Sequence, residues 1–268
     1  MLDEGDLILV KDYEDFKVEV IKMTKIDLTA YKERQMKRRI ESLIKKNGFD
    51  GYDAYVKALK TDKGIYEEFV NYLTINVSEF FRNTSQWEVL ERDIFPYLFG
   101  KFGKKIKVWS AACSTGDEPY SLAMVLSKFM PLSQIQIIAT DIDKQILAKA
   151  QQGLYNEKSI AGVPKEFKDK YFEKVGASYR VSDDIKKCIT FKSHNLLKDS
   201  YPDHLDLIVC RNVLIYFTEE AKSEIYKNFN KSLKNEGILF VGSTEQIIQS
   251  VKYNFESTHS FFYKKIKS

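Results

Sequence analysis

The chain is poor in the residues that mark several protein classes. Its 268 residues include three cysteines, five prolines and twelve glycines. Cys113, Cys188 and Cys210 are far apart, odd in number and free of any CxxC spacing. A disulfide framework and a zinc site are therefore not expected, and a reducing cytoplasm is the expected location. Few glycines and prolines beside 44% hydrophobic residues exclude a disordered or fibrous chain. No apolar run approaches the roughly 18 residues that a membrane span requires. The start, MLDEGDLILVKDYEDF, is acidic where a signal peptide is basic, so a chain not inserted in a membrane is expected. Neither charge sign dominates: 42 basic against 38 acidic residues leave +4, which gives no indication of nucleic acid. The three histidines, His194, His204 and His259, have no ligand partner at helical spacing, so no metal is assigned.

What is present separates into parts. Up to about residue 76, apolar residues recur at helical spacing. The stripes are Phe16, Val20 and Met23; then Leu28, Tyr31, Met36, Ile40, Leu43 and Ile44, with Asp27 as N-cap and Asn47-Gly48 as stop; then Tyr52, Tyr55, Val56 and Leu59; then Tyr66, Phe69, Val70 and Leu73. No strand signal interrupts them, so a small helical bundle is expected. From about residue 104 the texture changes. IKVWSAAC, IQIIATDID, KCITFKSHNLL, LDLIVCRNVLIYF and GILFVGSTE read as buried strands alternating with helices, which predicts a mainly parallel sheet covered on both faces. HSFFYKKIK is expected as a final antiparallel strand at the sheet edge. Residues from about 153 to 190 break the alternation and read as an inserted unit with short strands. The boundaries expected are 1–76 for the helical domain, 77–103 for a linker and helix over the active site, and 104–268 for the Rossmann-like domain that carries the insertion.

In such a sheet the ligand lies at the carboxyl ends of the strands. The first strand runs into Ser114-Thr115-Gly116-Asp117-Glu118-Pro119. Its single glycine is neither a GxGxxG dinucleotide fingerprint nor a P-loop, and its two acids would repel a pyrophosphate. A ligand with an ammonium group suits them better. Alternatively, they simply cap a helix. The second strand ends at Asp141, where an acid accepts bonds from ribose hydroxyls; Asp143 reads equally as an N-cap. A ribose, an amine and no phosphate describe S-adenosylmethionine.

Five segments together resemble the CheR-type chemotaxis receptor methyltransferases: Asn76-Val77-Ser78-Glu79-Phe80-Phe81-Arg82, Ser114 to Ser121, Ala139-Thr140-Asp141-Ile142-Asp143, Asn195-Leu196-Leu197, and Cys210-Arg211-Asn212-Val213-Leu214-Ile215-Tyr216-Phe217. The resemblance implies an α/β, Rossmann-like S-adenosylmethionine-dependent methyltransferase domain with an N-terminal all-helical domain and a small inserted antiparallel β-subdomain. It implies transfer of methyl to glutamate side chains of chemoreceptors, giving methyl esters and S-adenosyl-L-homocysteine. It places Asn76, Ser78 and Arg82 in a linker over the active site, Glu118 on the methionyl amine, Asp141 on the ribose, Asn195 and Leu196 on the adenine, and Arg211 and Asn212 at the strand-end pocket. Ser78 stands where the family more often has Thr. Arg82 and Tyr216 resemble the residues near the sulfonium. Read without the family, Arg82 is a surface ion pair with Glu79 or Glu88, and Tyr216 a core aromatic.

The segment from Lys32 to Lys46 carries Lys32, Arg34, Lys37, Arg38, Arg39, Lys45 and Lys46 against Glu33 and Glu41. A solvated face is the usual explanation of such a run; the resemblance implies a docking face for the glutamate-rich methylation helices of receptors. Interleaved aromatics for nucleic acid are lacking. The short link Lys174 to Tyr179 favours an enzyme that does not bind a receptor-tail pentapeptide. A monomer is expected. A base methyltransferase is disfavoured because Val213-Leu214-Ile215-Tyr216 follows Asn212 where an (N/D)PPY segment would stand, and a non-catalytic adaptor because Arg82, Glu118, Asp141 and Tyr216 are all present.

Overall fold

The computed structural model describes residues 9–267. Residues 1–8, the first half of the acidic start, lie outside them. The chain divides into two units. One comprises residues up to Ile75 together with Tyr216–Ala221; the other comprises Asn76–Ile215 and Lys222–Ser268.

In the first unit, α1 (Tyr13–Thr24), α2 (Glu33–Lys46), α3 (Tyr52–Thr61) and α4 (Lys63–Thr74) pack around buried aromatics. Phe16 and Phe69 are fully buried and meet edge to face at 5.9 Å. Asp12 and Asp62 cap α1 and α4 by accepting from two first-turn amides each, a stabilisation of about 1 kcal/mol per cap. Asp27 departs from its expected role. It caps only a 3-10 turn, Leu28–Ala30, by accepting from the Thr29 amide, and the long helix begins at Glu33. The reason is tertiary. Tyr31 forms an antiparallel bridge with Phe217, their rings 4.8 Å apart, while the Lys32 amide donates to the Tyr216 carbonyl and the Thr218 amide to the Ala30 carbonyl. An extended Tyr31 cannot continue a helix.

The second unit opens with a loop, residues 76–83, and α5 (Thr84–Val89), which passes through a π-helical turn, Leu90–Ile94, into α6 (Phe95–Phe102). Then follow β1 (Val108–Ala111), α7 (Asp117–Leu126), β2 (Ile137–Asp141) and α8 (Lys144–Gln152). The insertion comes next: β3 (Leu154–Asn156), α9 (Lys165–Tyr171), β4 (Phe172–Val175), β5 (Ser178–Val181) and α10 (Asp183–Lys186). The chain ends with β6 (Ile189–Ser193), β7 (Leu205–Cys210), α11 (Glu219–Ser232), β8 (Leu233–Val241), β9 (Phe255–His259) and β10 (Phe262–Lys265).

The main sheet has the order β6-β2-β1-β7-β8-β10-β9. The five strands from β6 to β8 pair in parallel, and β10 and β9 are antiparallel. Every residue of β1 and β7 is buried, as a strand covered on both faces requires. One expectation is corrected here. β10 pairs antiparallel with β8, but β9 lies beyond it and forms the edge. The insertion holds a three-stranded antiparallel sheet, β3-β5-β4. From β1 the chain continues to β2 on one side, while β7 pairs on the other. The strand order therefore reverses at β1, and the crevice for a ligand opens at the carboxyl ends of β1 and β7.

Candidate active site

At that crevice the backbone turns sharply. Ala112, Ser114 and Gly116 after β1, and Asn212 after β7, all have left-handed φ angles. Gly116 combines φ +90 with a close approach to α8, since a Cβ there would lie 2.9 Å from that of Ala150. Non-glycine residues in this region cost of order 1–3 kcal/mol each and persist where surrounding bonds fix them. Those bonds are visible. The Ser114 amide donates to Asp141 Oδ2 at 2.9 Å and the Asp143 amide to Asp141 Oδ1 at 3.0 Å. Asp143 caps α8 by accepting from Gln145 and Ile146, and its second oxygen accepts from Asn76.

Glu118 stands in the first turn of α7, its side chain 12% exposed. It accepts from Ser110 Oγ at 2.8 Å, and Arg211 Nη1 lies 3.5 Å away. Arg211 is buried. Its Nη2 donates to the Arg82 carbonyl at 2.7 Å, to Gln86 Oε1 at 2.9 Å and to Asn83 Oδ1 at 3.3 Å. Burial pulls the guanidinium pKa down, the nearby Arg82 charge adds to this, and Glu118 opposes it. Burial pushes the Glu118 carboxyl up, with Arg211 opposing. Asp141 is pushed up to about 6 by burial, against the main-chain amides of Asp143, Ser114 and Ile142. Burial also raises Asp117, which bonds to the hydroxyls of Thr115 and Ser78.

The predicted site residues gather unequally. Glu118, Asp141, Arg211 and Asn212 stand at the ends of β1, β2 and β7. Asn195 and Leu196 are buried just after β6, where the Asn195 side chain accepts from the Leu197 amide. Asn76, Ser78 and Arg82 lie on the 76–83 loop, held by Asn76 on Asp143, Ser78 on Asp117, the Phe81 amide on Ser121 Oγ and the Arg82 carbonyl on Arg211. Tyr216 closes a 3-10 turn, Leu214–Tyr216, and belongs to the other unit. His194 does not join the polar set. Its ring packs at 5.3 Å against both Trp109 and Tyr201, and burial pulls its pKa down.

The basic residues of α2 also divide. Arg39 donates to the Tyr72 carbonyl at 2.8 Å and stacks on that ring, Lys37 sits over the Tyr13 ring, and Lys46 pairs with Glu68 at 2.8 Å. Arg34 and Arg38 are exposed and line a hollow with Gln35; Lys45 is exposed. Lys32 precedes the helix.

The sequence reading missed Glu245. This carboxylate is buried behind β8 and receives four main-chain amides. An acid four residues beyond the apolar strand GILFV, after Gly242-Ser243-Thr244, was the available signal. Gln86 was missed as well. Among the described residues, Arg211 Nε and Ser114 Oγ are buried donors with no hydrogen-bond partner, and no group of three His, Cys, Asp or Glu side chains is placed to hold a metal ion. No helix among them is long and apolar enough to cross a membrane.

Comparison with known proteins agrees with this arrangement. The family described as CheR methyltransferase, SAM binding domain, matches residues 76–262, and the CheR methyltransferase all-alpha domain matches residues 11–74. A chemotaxis protein methyltransferase of Listeria innocua is 42% identical over 96% of this chain and 98% of its own length. One from Borreliella burgdorferi is 34% identical over 83% of each, and a chemotaxis protein methyltransferase of Pseudomonas aeruginosa is 34% identical over 88% of this chain and 90% of its own. Matched along both units and over nearly its whole length, the chain belongs to the CheR methyltransferase family.

Proposed function

We propose that this protein transfers the methyl group of S-adenosylmethionine to side-chain carboxylates of glutamates on chemoreceptors, forming methyl esters. The observation that carries the reading is a pair of carboxylates, the largely enclosed Glu118 in the first turn of α7 and the buried Asp141 at the end of β2, beside the point where strand order reverses. Glu118, already set against one guanidinium, suits an ammonium group. Asp141 keeps acceptor capacity for a ribose hydroxyl, since a carboxylate offers about four lone-pair sites and main-chain amides of Ser114, Asp143 and Ile142 are its donors. The partnerless Arg211 Nε and Ser114 Oγ are donors of the kind that a bound carboxylate or hydroxyl satisfies. The residues present therefore fit S-adenosylmethionine, which supplies an electrophilic methyl on a sulfonium.

The rest of the chemistry asks little of the chain. A glutamate carboxylate, with a reference pKa of about 4.3, is ionised at neutral pH. S-adenosylmethionine held at the strand ends would supply the methyl carbon to a carboxylate oxygen, the carbon–sulfur pair would return to sulfur, and no proton would have to be taken up or released by the chain. The chain must align the two and exclude water. Arg82 holds the incoming carboxylate by a charge-assisted bond, its main chain fixed by Arg211; Tyr216 carries a hydroxyl able to donate to a carboxylate. Asn76 and Ser78 act through Asp143 and Asp117, holding the 76–83 loop. Asn195 and Leu196 border the adenine. Arg34 and Arg38, the exposed cations of α2, meet the acidic methylation helices of the receptor in the cytoplasm.

Transfer of radiolabelled methyl to receptor-bearing membranes, followed by base, tests this. Label released as volatile methanol is expected. Base-stable label would mean methylation on nitrogen, and would sink the carboxylate assignment.

A further inference from the structure

Glu245 is 5% exposed and bonds to main-chain amides. Its Oε2 accepts from the Asn212 amide at 2.5 Å and the Gly242 amide at 2.9 Å. Its Oε1 accepts from the Leu214 amide at 2.6 Å and the Ile215 amide at 3.3 Å. Its own amide closes a turn on the Gly242 carbonyl. One carboxylate thus ties the segment after β8 to the segment after β7. The fit is tight from the opposite side as well: a Cβ on Gly242 would lie 2.5 Å from Glu245 Oε2 and 2.8 Å from the Asn212 amide nitrogen. Asn212 holds a left-handed φ of 62 within this cradle.

We propose that Glu245 is a positioning residue for the cofactor pocket: by gathering these four amides it fixes the turn that sets Arg211 and Asn212 at the end of β7. The inference rests on placing S-adenosylmethionine at this end of the sheet. Only a carboxylate serves both pairs of donors. A glutamine would turn an NH2 group towards two N–H groups, and either Asn212 and Gly242 or Leu214 and Ile215 would lose their acceptor. An aspartate keeps both oxygens but withdraws them by one methylene. The carboxylate also bears on the pair behind the turn, since its charge favours the Arg211 cation and opposes ionisation of Glu118.

Calorimetric titration of the full chain with S-adenosylmethionine separates positioning from mere structure. It reports the fraction of binding-competent protein apart from the affinity of that fraction. Glu245→Gln and Gly242→Ala are each expected to weaken affinity by about tenfold or more, the worth of a lost bond to a charged group. Glu245→Asp should recover part of the loss, and exposed Gln246→Ala should bind as the wild type does. In transfer assays the KM for S-adenosylmethionine should rise by more than kcat falls. If Glu245→Gln does not fold, Gly242→Ala decides, because it parts the same cradle and leaves the carboxylate in place. Wild-type affinity in the folded fraction, with only a lowered melting temperature or stoichiometry, would overturn the positioning role. A wild-type chain that binds no S-adenosylmethionine would instead overturn the cofactor assignment, and this inference with it.

Discussion

At the strand ends, Asp141, Arg211 and Glu245 are buried and the Glu118 side chain is only 12% exposed, and main-chain amides or a facing charge fix each of them. Along α2, Arg34 and Arg38 stand in water, while Arg39 and Lys46 are spent on Tyr72 and Glu68. Both regions are rich in charge, yet the physics differs. A buried charge acts at low effective dielectric and is ruinous when orphaned. An exposed one is screened within about 8 Å at physiological salt. The strand ends can therefore hold a small cation in one geometry, whereas α2 can attract an acidic partner without specifying how it sits.

The hardest strain on this contrast is Arg211→Ala. It leaves Glu118 buried without its counter-charge and should cost about 3–5 kcal/mol in denaturant unfolding. A cost near zero would erase the difference between the two regions, and the double variant Glu118→Gln with Arg211→Met should regain much of the loss. Next in size, Asp141→Asn should weaken S-adenosylmethionine by roughly ten- to a hundredfold, the worth of hydrogen bonds to a charged acceptor. Stability without ligand should fall as well, by about 1–3 kcal/mol, because the new NH2 group faces the Ser114 or Asp143 amide and leaves it without an acceptor.

Asp141 also sets a pH dependence with opposite signs for folding and binding. Its folded pKa of about 6 lies above the ordinary 3.8, so its stabilising contribution is full below about 3.8 and is lost as pH rises to about 6. Binding that uses the ionised form runs the other way: affinity should hold above about pH 6 and decline by up to about tenfold per unit below it. Titration of affinity against pH in wild type and Asp141→Asn checks this, and the variant should show no such limb. Smallest of all, Arg34→Ala and Arg38→Ala should each change stability by less than about 0.5 kcal/mol. Each should raise the KM for receptor by up to about fivefold, an effect that vanishes in high salt.

The legible parts of the sequence share a physical cause. β1, β2 and β7 announce themselves because strands buried on both faces must be apolar throughout, and the residues that end them, Ser114 to Glu118, Asp141 and Arg211-Asn212, are thereby located. The helical stripes are legible for the same reason. β9 was not, because four of its five residues are exposed and it has no apolar run. Asp27 does cap a turn, but Phe217, distant in sequence, draws Tyr31 out of the helix that the local pattern offered. Glu245 escaped because its partners are amides of Asn212, Leu214 and Ile215, and an amide leaves no mark in a sequence.

The return of Tyr216–Ala221 to the first unit bears on how the protein is made. During synthesis the amino-terminal helices emerge first and begin to fold as they appear. The bridge from Tyr31 to Phe217 and the two main-chain bonds flanking it cannot close until most of the chain has left the ribosome. The first part to be translated is thus among the last to be completed, and a fragment cut at residue 75 lacks a piece of its own unit.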